Sequence, residues 1–174
     1  MHVTCRCPAY LACMSLDSTN GTTHSLPPLP FEVRASPIQG SGGYATQLIP
    51  AGVRLIEYVG ERLTPEEAEA RYPDSAVERH HTYLFAIDDA VVVDAAVDGN
   101  EARFLNHSCA PNCDAVIENG HIWIETIHDI DIGEELVYDY AYILAERHTP
   151  AAKKRYPCRC GAITCRGTIL GKKR

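Results

Sequence analysis

A ten-residue segment, Arg103 to Asn112, constrains the fold of this chain more than any other part of its sequence. It reads Arg-Phe-Leu-Asn-His-Ser-Cys-Ala-Pro-Asn, so that two amides, an imidazole, a hydroxyl and a thiol lie within seven residues. Two more motifs follow: Glu134 to Tyr140, which reads Glu-Glu-Leu-Val-Tyr-Asp-Tyr, and the series Cys158-x-Cys160-x4-Cys165. Chance rarely delivers all three in this order, and the fold has to serve the chemistry of each.

The composition is that of a folded protein with one core. Of the 174 residues, 45% are hydrophobic and 22% are charged, which suits a single domain. No apolar run is as long as a membrane span, and the N-terminus lacks the features of a secretory signal, so we expect an intracellular protein with no membrane contact. The formal net charge of -7 disfavours direct nucleic-acid binding and suits a basic partner, although many soluble proteins are mildly acidic.

The first 30 residues differ from the rest and predict a flexible N-terminal extension, because they are polar, turn-forming and end in a proline-rich connector. Short strands are predicted after it, at 31–34, 44–48, 53–59, 82–87 and 91–93, with the glycine-rich stretch Gly40 to Gly43 breaking the chain. Asn119-Gly120 fits a type I′ turn and predicts a hairpin of residues 113–118 and 121–127. Thr64, Pro65 and Glu67 fit the start of a helix that ends near Arg71.

Eight cysteines in such a chain are interpreted as metal ligands before disulfides. Cys158, Cys160 and Cys165 supply three of the four thiolates that a structural zinc requires, and Cys109 is the first candidate for the fourth. Free thiols or a disulfide are the alternatives. A further group, Cys5, Cys7 and Cys13, resembles half of a metal site, but nothing nearby completes it, and we interpret it as part of a disordered tail.

Together the three motifs resemble the SET domain with a post-SET zinc motif, the fold of protein-lysine methyltransferases. The resemblance covers about residues 31–170 and implies a mainly β fold with few short helices: small curved sheets, a pseudoknot where residues 103–109 cross Tyr138–Tyr140, and a C-terminal zinc-bound loop. It divides the chain into the extension 1–30, a SET domain at 31–145 with an insert at about 64–90, and a post-SET segment at 146–174. It also implies one Zn2+ bound by Cys109, Cys158, Cys160 and Cys165.

The same resemblance implies S-adenosylmethionine as cofactor. Taken alone, the glycine loop Gly40-Ser41-Gly42 would be interpreted as a turn. Phe104 fits a position in the core equally well. Ser41 stands where many relatives carry an aromatic residue. The expected cofactor-binding residues are Gly40, Ser41, Gly42, Tyr83, Arg103, Phe104, Asn106, His107, Tyr140 and Leu170, with Ile169 and Leu170 as an apolar lid. We expect His107 to bind cofactor and support the crossing, not to transfer protons.

Methyl transfer to lysine requires a neutral amine in a dry, aligned channel, although the pKa of free lysine is about 10.4. An aromatic channel favours the neutral amine by desolvation. By resemblance, Tyr58, Tyr138 and Tyr140 form this pocket, with Tyr140 catalytic and Tyr138 favouring lower methylation states.

The expected substrate is a basic peptide, a histone tail first, lying between the insert and the post-SET loop. The alternative substrate is a non-histone basic protein. The alternative functions are a catalytically silent SET scaffold that binds peptides and a small zinc-ribbon interaction protein. The location follows the source: nucleus or chromosome in a eukaryote, cytoplasm in a bacterium. Oligomeric state is left open.

Overall fold

The part of the chain that the structure describes contains ten short strands, two short helices and a 3-10 turn, joined by loops. The structure is a computed structural model and describes residues 28–72, 83–144 and 147–172. Nearly all of the predicted N-terminal extension, with Cys5, Cys7 and Cys13, lies outside these residues. None of the described helices is long and apolar enough to span a membrane. The domain limits predicted above stay predictions.

Strands predominate, so the mainly β fold with few helices is confirmed. The elements are β1 Phe31–Ala35, β2 Ser41–Ala45, β3 Arg54–Tyr58, β4 Glu61–Leu63, α1 Pro65–Arg71, β5 Leu84–Ala86, β6 Val92–Asp94, a 3-10 turn Glu101–Phe104, β7 Asn106–His107, β8 Cys113–Glu118, β9 His121–Thr126, β10 Glu135–Tyr138 and α2 Pro150–Arg155. The larger sheet has the order β1-β2-β10-β8-β9-β3, with β7 paired to β10, and the smaller has the order β4-β6-β5.

Two local predictions from turn and cap chemistry are confirmed. Asn119 and Gly120 have φ angles of 51° and 77° and join β8 to β9 in the predicted hairpin. Helix α1 has the predicted capping box: the Glu67 N–H donates to Thr64 Oγ1 at 3.2 Å, and the Thr64 N–H donates to the Glu67 carboxylate at 2.8 Å. These signals are reliable because they depend only on neighbouring residues.

The glycine break and the strand at 44–48 were predicted wrongly. Strand β2 begins at Ser41 and contains Gly42 and Gly43, and both glycines are crowded from the side by neighbouring segments. A Cβ at Gly42 would collide with the Glu135 carboxylate, and one at Gly43 would collide with Leu105. Glycine here allows a close approach of neighbouring segments, which is one of the reasons for its presence in strands.

Strand β10 joins the parts of the sequence that carry the motifs. On one side it pairs antiparallel with β2, and on the other it pairs in parallel with β7, where Val137 faces Asn106 and Tyr138 faces His107. Asn112 fastens this arrangement: its side-chain oxygen accepts from the Val137 N–H at 2.9 Å, and its amide donates to Glu135 O at 2.9 Å. The predicted crossing requires this parallel contact. Leu105, Ile124 and Leu136 form part of the core beneath it.

Helix α2 was not predicted. Thr149 caps it by accepting from the Ala152 N–H at 3.1 Å, and Pro150 occupies its first turn, which is the same Thr-Pro signal that predicts α1. The helix packs through Ala152, and Tyr156 just beyond its end is also buried.

Candidate active site and metal cluster

Four aromatic side chains from three segments meet next to the end of β10. The rings of Tyr138 and Tyr140 lie 4.8 Å apart, Phe85 from β5 stacks on Tyr138 at 6.4 Å, and Tyr58 from β3 packs against Phe85 at 5.5 Å. We call Tyr58, Phe85, Tyr138 and Tyr140 the aromatic ring of the site. Tyr58 and Tyr138 are buried, whereas Tyr140 is 38% exposed and borders the opening.

The phenol hydroxyls of the aromatic ring have different surroundings. Tyr140 donates to the Leu105 carbonyl at 2.8 Å, and Tyr58 donates to the Tyr83 carbonyl at 2.8 Å. Within the described part of the chain, the Tyr138 hydroxyl has no hydrogen-bond partner. Burial raises the pKa of Tyr58, Tyr138 and Tyr140 above the ordinary phenol value, so all three are neutral donors at physiological pH.

Two cavities meet at this aromatic ring. The larger, of about 390 Å³, contains the whole ring and extends to α1 and to Tyr142 and Tyr156. The smaller, of about 230 Å³, contains the Gly40 loop and Asn106. Four residues line both cavities: Tyr83, Arg103, Tyr140 and Ile169. Molecules in the two cavities would therefore have these four side chains in common as possible contacts.

Asn106 holds the glycine loop against the sheet. Its amide nitrogen donates to Ser41 O at 2.9 Å, to Gln39 O at 3.3 Å and to the Glu135 carboxylate at 2.8 Å. Glu135 also accepts from the hydroxyls of Ser36 at 2.7 Å and Tyr44 at 3.0 Å. Sequence reasoning missed Glu135, since nothing in the motif identifies which of its two glutamates points inward.

Arg103 lies between the rings of Tyr83 and Phe104, at 5.7 and 4.7 Å from their centroids. One guanidinium nitrogen donates to Ala95 O at 3.1 Å, but the buried Nε has no partner in the described part of the chain. A buried donor without an acceptor is costly, and a ligand with acceptor atoms in the adjoining cavity would remove the cost. The cavity therefore fits a polar cofactor.

His107 connects the aromatic ring to the cysteines. Burial lowers its pKa to about 4, so the imidazole is neutral. Its Nδ1 accepts from the Tyr140 N–H at 3.2 Å, which leaves the proton on Nε2, 3.5 Å from Cys109 Sγ. The imidazole of His107 also packs on the phenol ring of Tyr140, with 5.3 Å between the two ring centroids. Because both of its ring nitrogens contact neighbouring groups, His107 helps to hold Tyr140 and Cys109 in position.

Four thiols form one cluster. The Sγ atoms of Cys109, Cys158, Cys160 and Cys165 all lie within 4.8 Å of one another. Cys109 Sγ is 3.7 Å from Cys158 Sγ and 4.0 Å from Cys165 Sγ, far beyond a disulfide bond. A tetrahedral zinc with bonds of about 2.3 Å separates its sulfurs by about 3.8 Å, so the spacing fits. The Cys109 N–H donates to Cys160 Sγ at 3.5 Å, which favours the thiolate.

Arg166 ties the C-terminal segment to the motif at 138–140. Its guanidinium forms two bonds of 2.6 Å with the Asp139 carboxylate and donates at 3.0 Å to the carbonyls of Thr168 and Leu170. Burial raises the pKa of Asp139, but the hydrogen bonds and the charge of Arg166 act together with a hydrogen bond from the Ala141 N–H and hold this pKa below its ordinary value. The sequence offered no signal for this pairing.

Most of the predicted cofactor residues line the smaller cavity. They are Gly40, Ser41, Tyr83, Arg103, Phe104, Asn106, His107 and Tyr140. Two are not among its lining residues: Gly42 lies beside Glu135, and the Leu170 side chain is buried. Ile169, the other proposed lid residue, lines both cavities.

Comparison with known proteins identifies the fold family. Residues 40–141 match the family model described as the SET domain. The chain belongs to the SET domain family. Histone-lysine N-methyltransferase trithorax of Drosophila virilis is 43% identical over 137 residues, which covers 75% of this chain and 3% of that protein.

Two fungal relatives are called histone-lysine N-methyltransferase, H3 lysine-4 specific. That of Eremothecium gossypii is 41% identical over 159 residues, covering 87% of this chain and 16% of the relative. That of Mycosarcoma maydis is 44% identical over 138 residues, covering 75% and 9%. The chain thus spans only a small part of these relatives' length.

The thiol cluster predicts one tightly bound zinc. We expect Cys160→Ser to lose most of the metal, because three thiolates hold zinc far less tightly than four. Cys113→Ala is the matched control. Cys113 is a buried cysteine outside the cluster, and burial raises the pKa of its thiol to about 12. Metal analysis of the purified proteins checks this, and equal zinc in both variants would contradict the ligand set.

The Arg166 bonds predict that this side chain orders the C-terminal segment. Arg166→Ala should increase amide hydrogen exchange at Ile169 and Gly171 by on the order of ten-fold, because charged hydrogen bonds are lost. The Ile169 N–H donates to Tyr156 O within this segment, and the Gly171 N–H donates to Tyr142 O, which precedes it. Arg54→Ala, which removes the exposed pairs with Glu118 and Glu125, is the control and should leave these amides unchanged. Unchanged exchange in Arg166→Ala would contradict this role of Arg166.

Proposed function

We propose that this chain is an S-adenosylmethionine-dependent protein-lysine N-methyltransferase. The observation that carries the proposal is the meeting of two cavities at Tyr83 and Tyr140. One cavity has a polar wall with a glycine loop, Asn106 and His107, and the other has an aromatic wall. Transfer between two substrates requires such a pair of sites with their reacting ends in contact. Membership of the SET family and the names of the relatives support the same activity.

The cofactor would supply an activated methyl group on a sulfonium. The residues suited to hold it are the Gly40 loop, Arg103 with its unpartnered Nε, Phe104, Asn106 and His107. Asn106 would act chiefly by fixing the loop, since its amide hydrogens are already donated to Ser41, Gln39 and Glu135. Zinc at the four cysteines would keep Ile169 beside both cavities.

The aromatic ring would prepare the lysine. Its low polarity disfavours an ammonium and so favours the neutral amine that can attack. Tyr58 and Tyr140 are each fixed by a hydrogen bond to a backbone carbonyl, so their rings can define the width of the channel. The free hydroxyl of Tyr138 can accept a hydrogen bond from the amine or donate one to it. Together these groups would orient the lone pair towards the methyl group and exclude water.

We propose a histone tail as the substrate, with lysine-4 of histone H3 as the first candidate. Two of the relatives carry that specificity in their names. Helix α1 borders the larger cavity and exposes Glu66, Glu67 and Glu69, which suits a basic peptide. A histone substrate implies a nuclear location in a eukaryote. A non-histone basic protein is the alternative substrate.

Tyr140→Phe tests the reaction. Loss of the hydroxyl that positions the ring should lower turnover by about 100-fold while cofactor binding stays nearly intact. Turnover is measured with labelled S-adenosylmethionine and core histones, and binding by calorimetry. Tight cofactor binding without turnover in the wild type would favour a silent peptide-binding scaffold, and absence of cofactor binding would exclude both.

Tyr138→Phe tests the degree of methylation. Tyr138 lines the larger cavity, where its hydroxyl would take up space beside the lysine, so the wild type should produce mainly monomethyl-lysine. Its removal should leave room for a methylated amine and shift the product towards di- and trimethyl-lysine. Mass spectrometry of the peptide product measures the ratio. An unchanged ratio would mean that another residue limits the space.

A further inference from the structure

Charge is divided unevenly along this chain. Residues 147–174 contain nine of the 16 lysines and arginines and none of the 23 aspartates and glutamates. The net charge of -7 is therefore an average over a strongly acidic body and a strongly basic C-terminal segment. An asymmetry of this kind is typical of chains that bind an anionic partner through one region.

Internal contacts gather the C-terminal segment into one unit, which we call the basic module, residues 147–172. The His148 imidazole is 3.1 Å from the Gly171 carbonyl, so the two ends of the module meet. The Ile169 N–H donates to Tyr156 O at 3.1 Å, and the Cys158 N–H donates to Gly167 O at 3.3 Å. The basic residues therefore project from a folded unit.

Several cations of the basic module face solvent without a counter-charge. Lys153, Lys154, Arg159 and Lys172 are exposed, and none has a salt bridge within the described residues. Arg166 differs because it is paired with Asp139. A position in the last turn of a helix stabilises cations and explains Lys153 and Lys154 in part. It does not explain Arg159 or Lys172, which lie beyond α2.

The basic module also borders the larger cavity, since Tyr156 and Ile169 line it. We call this cavity, where the substrate is proposed to bind, the substrate groove. We propose that the module binds the phosphate backbone of duplex DNA beside that groove. The choice of DNA rests on the proposed function, because a histone substrate in chromatin is wrapped by DNA. Contacts of this kind are independent of sequence and depend on lysine and arginine neutralising phosphates. Helix α2, with six residues, is too short to read a groove.

Binding of a short fluorescent duplex to the full chain, followed by anisotropy between about 50 and 200 mM salt, tests the proposal. The wild type should bind, with an affinity that falls steeply as salt rises. Lys153→Ala/Lys154→Ala should weaken binding by on the order of ten-fold and reduce the slope of log affinity against log salt by about 2. Arg159 is not mutated because it borders the smaller cavity, and Arg166 is not mutated because it binds Asp139.

Arg54→Ala/Arg62→Ala is the matched control, because it removes the same charge from the acidic body. It should bind DNA like the wild type. Three results would overturn the proposal: no DNA binding by the wild type at low salt, equal losses in both double variants, or equally tight binding of single-stranded RNA or anionic phospholipid vesicles.

Turnover separates this inference from the proposed function. Lys153→Ala/Lys154→Ala should methylate a histone H3 peptide at the wild-type rate and nucleosomes about ten-fold more slowly. DNA binding that depends on the two lysines, without methylation of either substrate, would sink the proposed function and leave the DNA surface in place. Methylation of the peptide by a chain that does not bind DNA would sink the DNA surface alone.

Discussion

The parallel pairing of β10 with β7 is the contact on which the rest of the site depends. One strand carries Glu135 and leads to Tyr138 and Tyr140, while the other carries Asn106 and His107. Neither strand has the required partners without the other: Asn106 needs the Glu135 carboxylate, and His107 needs the Tyr140 N–H. Because the hydrogen-bond register is fixed, a slip of one residue would turn these side chains to opposite faces and separate the two cavities.

The C-terminal segment is connected to the same pairing twice. Cys109, two residues after β7, joins the thiol cluster, and Asp139, one residue after β10, binds Arg166. Both connections hold the stretch that contains Ile169, which lines both cavities. Metal binding, ordering of this stretch and formation of the cofactor cavity are therefore expected to be coupled, because each requires the chain to give up the same conformational entropy.

Sequence predicted what depends on neighbouring residues or on a specific motif, and missed what depends on distant polar pairs. The Asn119-Gly120 turn, the Thr64 cap and the candidate fourth thiol, Cys109, fall in the first group. Glu135 with Asn106 and Arg166 with Asp139 fall in the second, since such pairs lie tens of residues apart and have no periodic signal. Gly42 was misjudged for the same reason: its place within a strand is set by the side chain of Glu135 on another strand.

Burial favours the neutral form of the phenols in the aromatic ring and would favour the neutral form of an incoming lysine as well. It raises the pKa of Tyr58, Tyr138 and Tyr140, because a phenolate would lose hydration and repel its neighbours across about 5 Å. The same loss of hydration would lower the pKa of a lysine ammonium in the proposed channel. The ring thus stays neutral throughout the range in which the amine loses its proton. A rise of the proposed reaction rate with pH would accordingly report the substrate lysine, since none of the three phenols ionises below the ordinary phenol pKa of about 10.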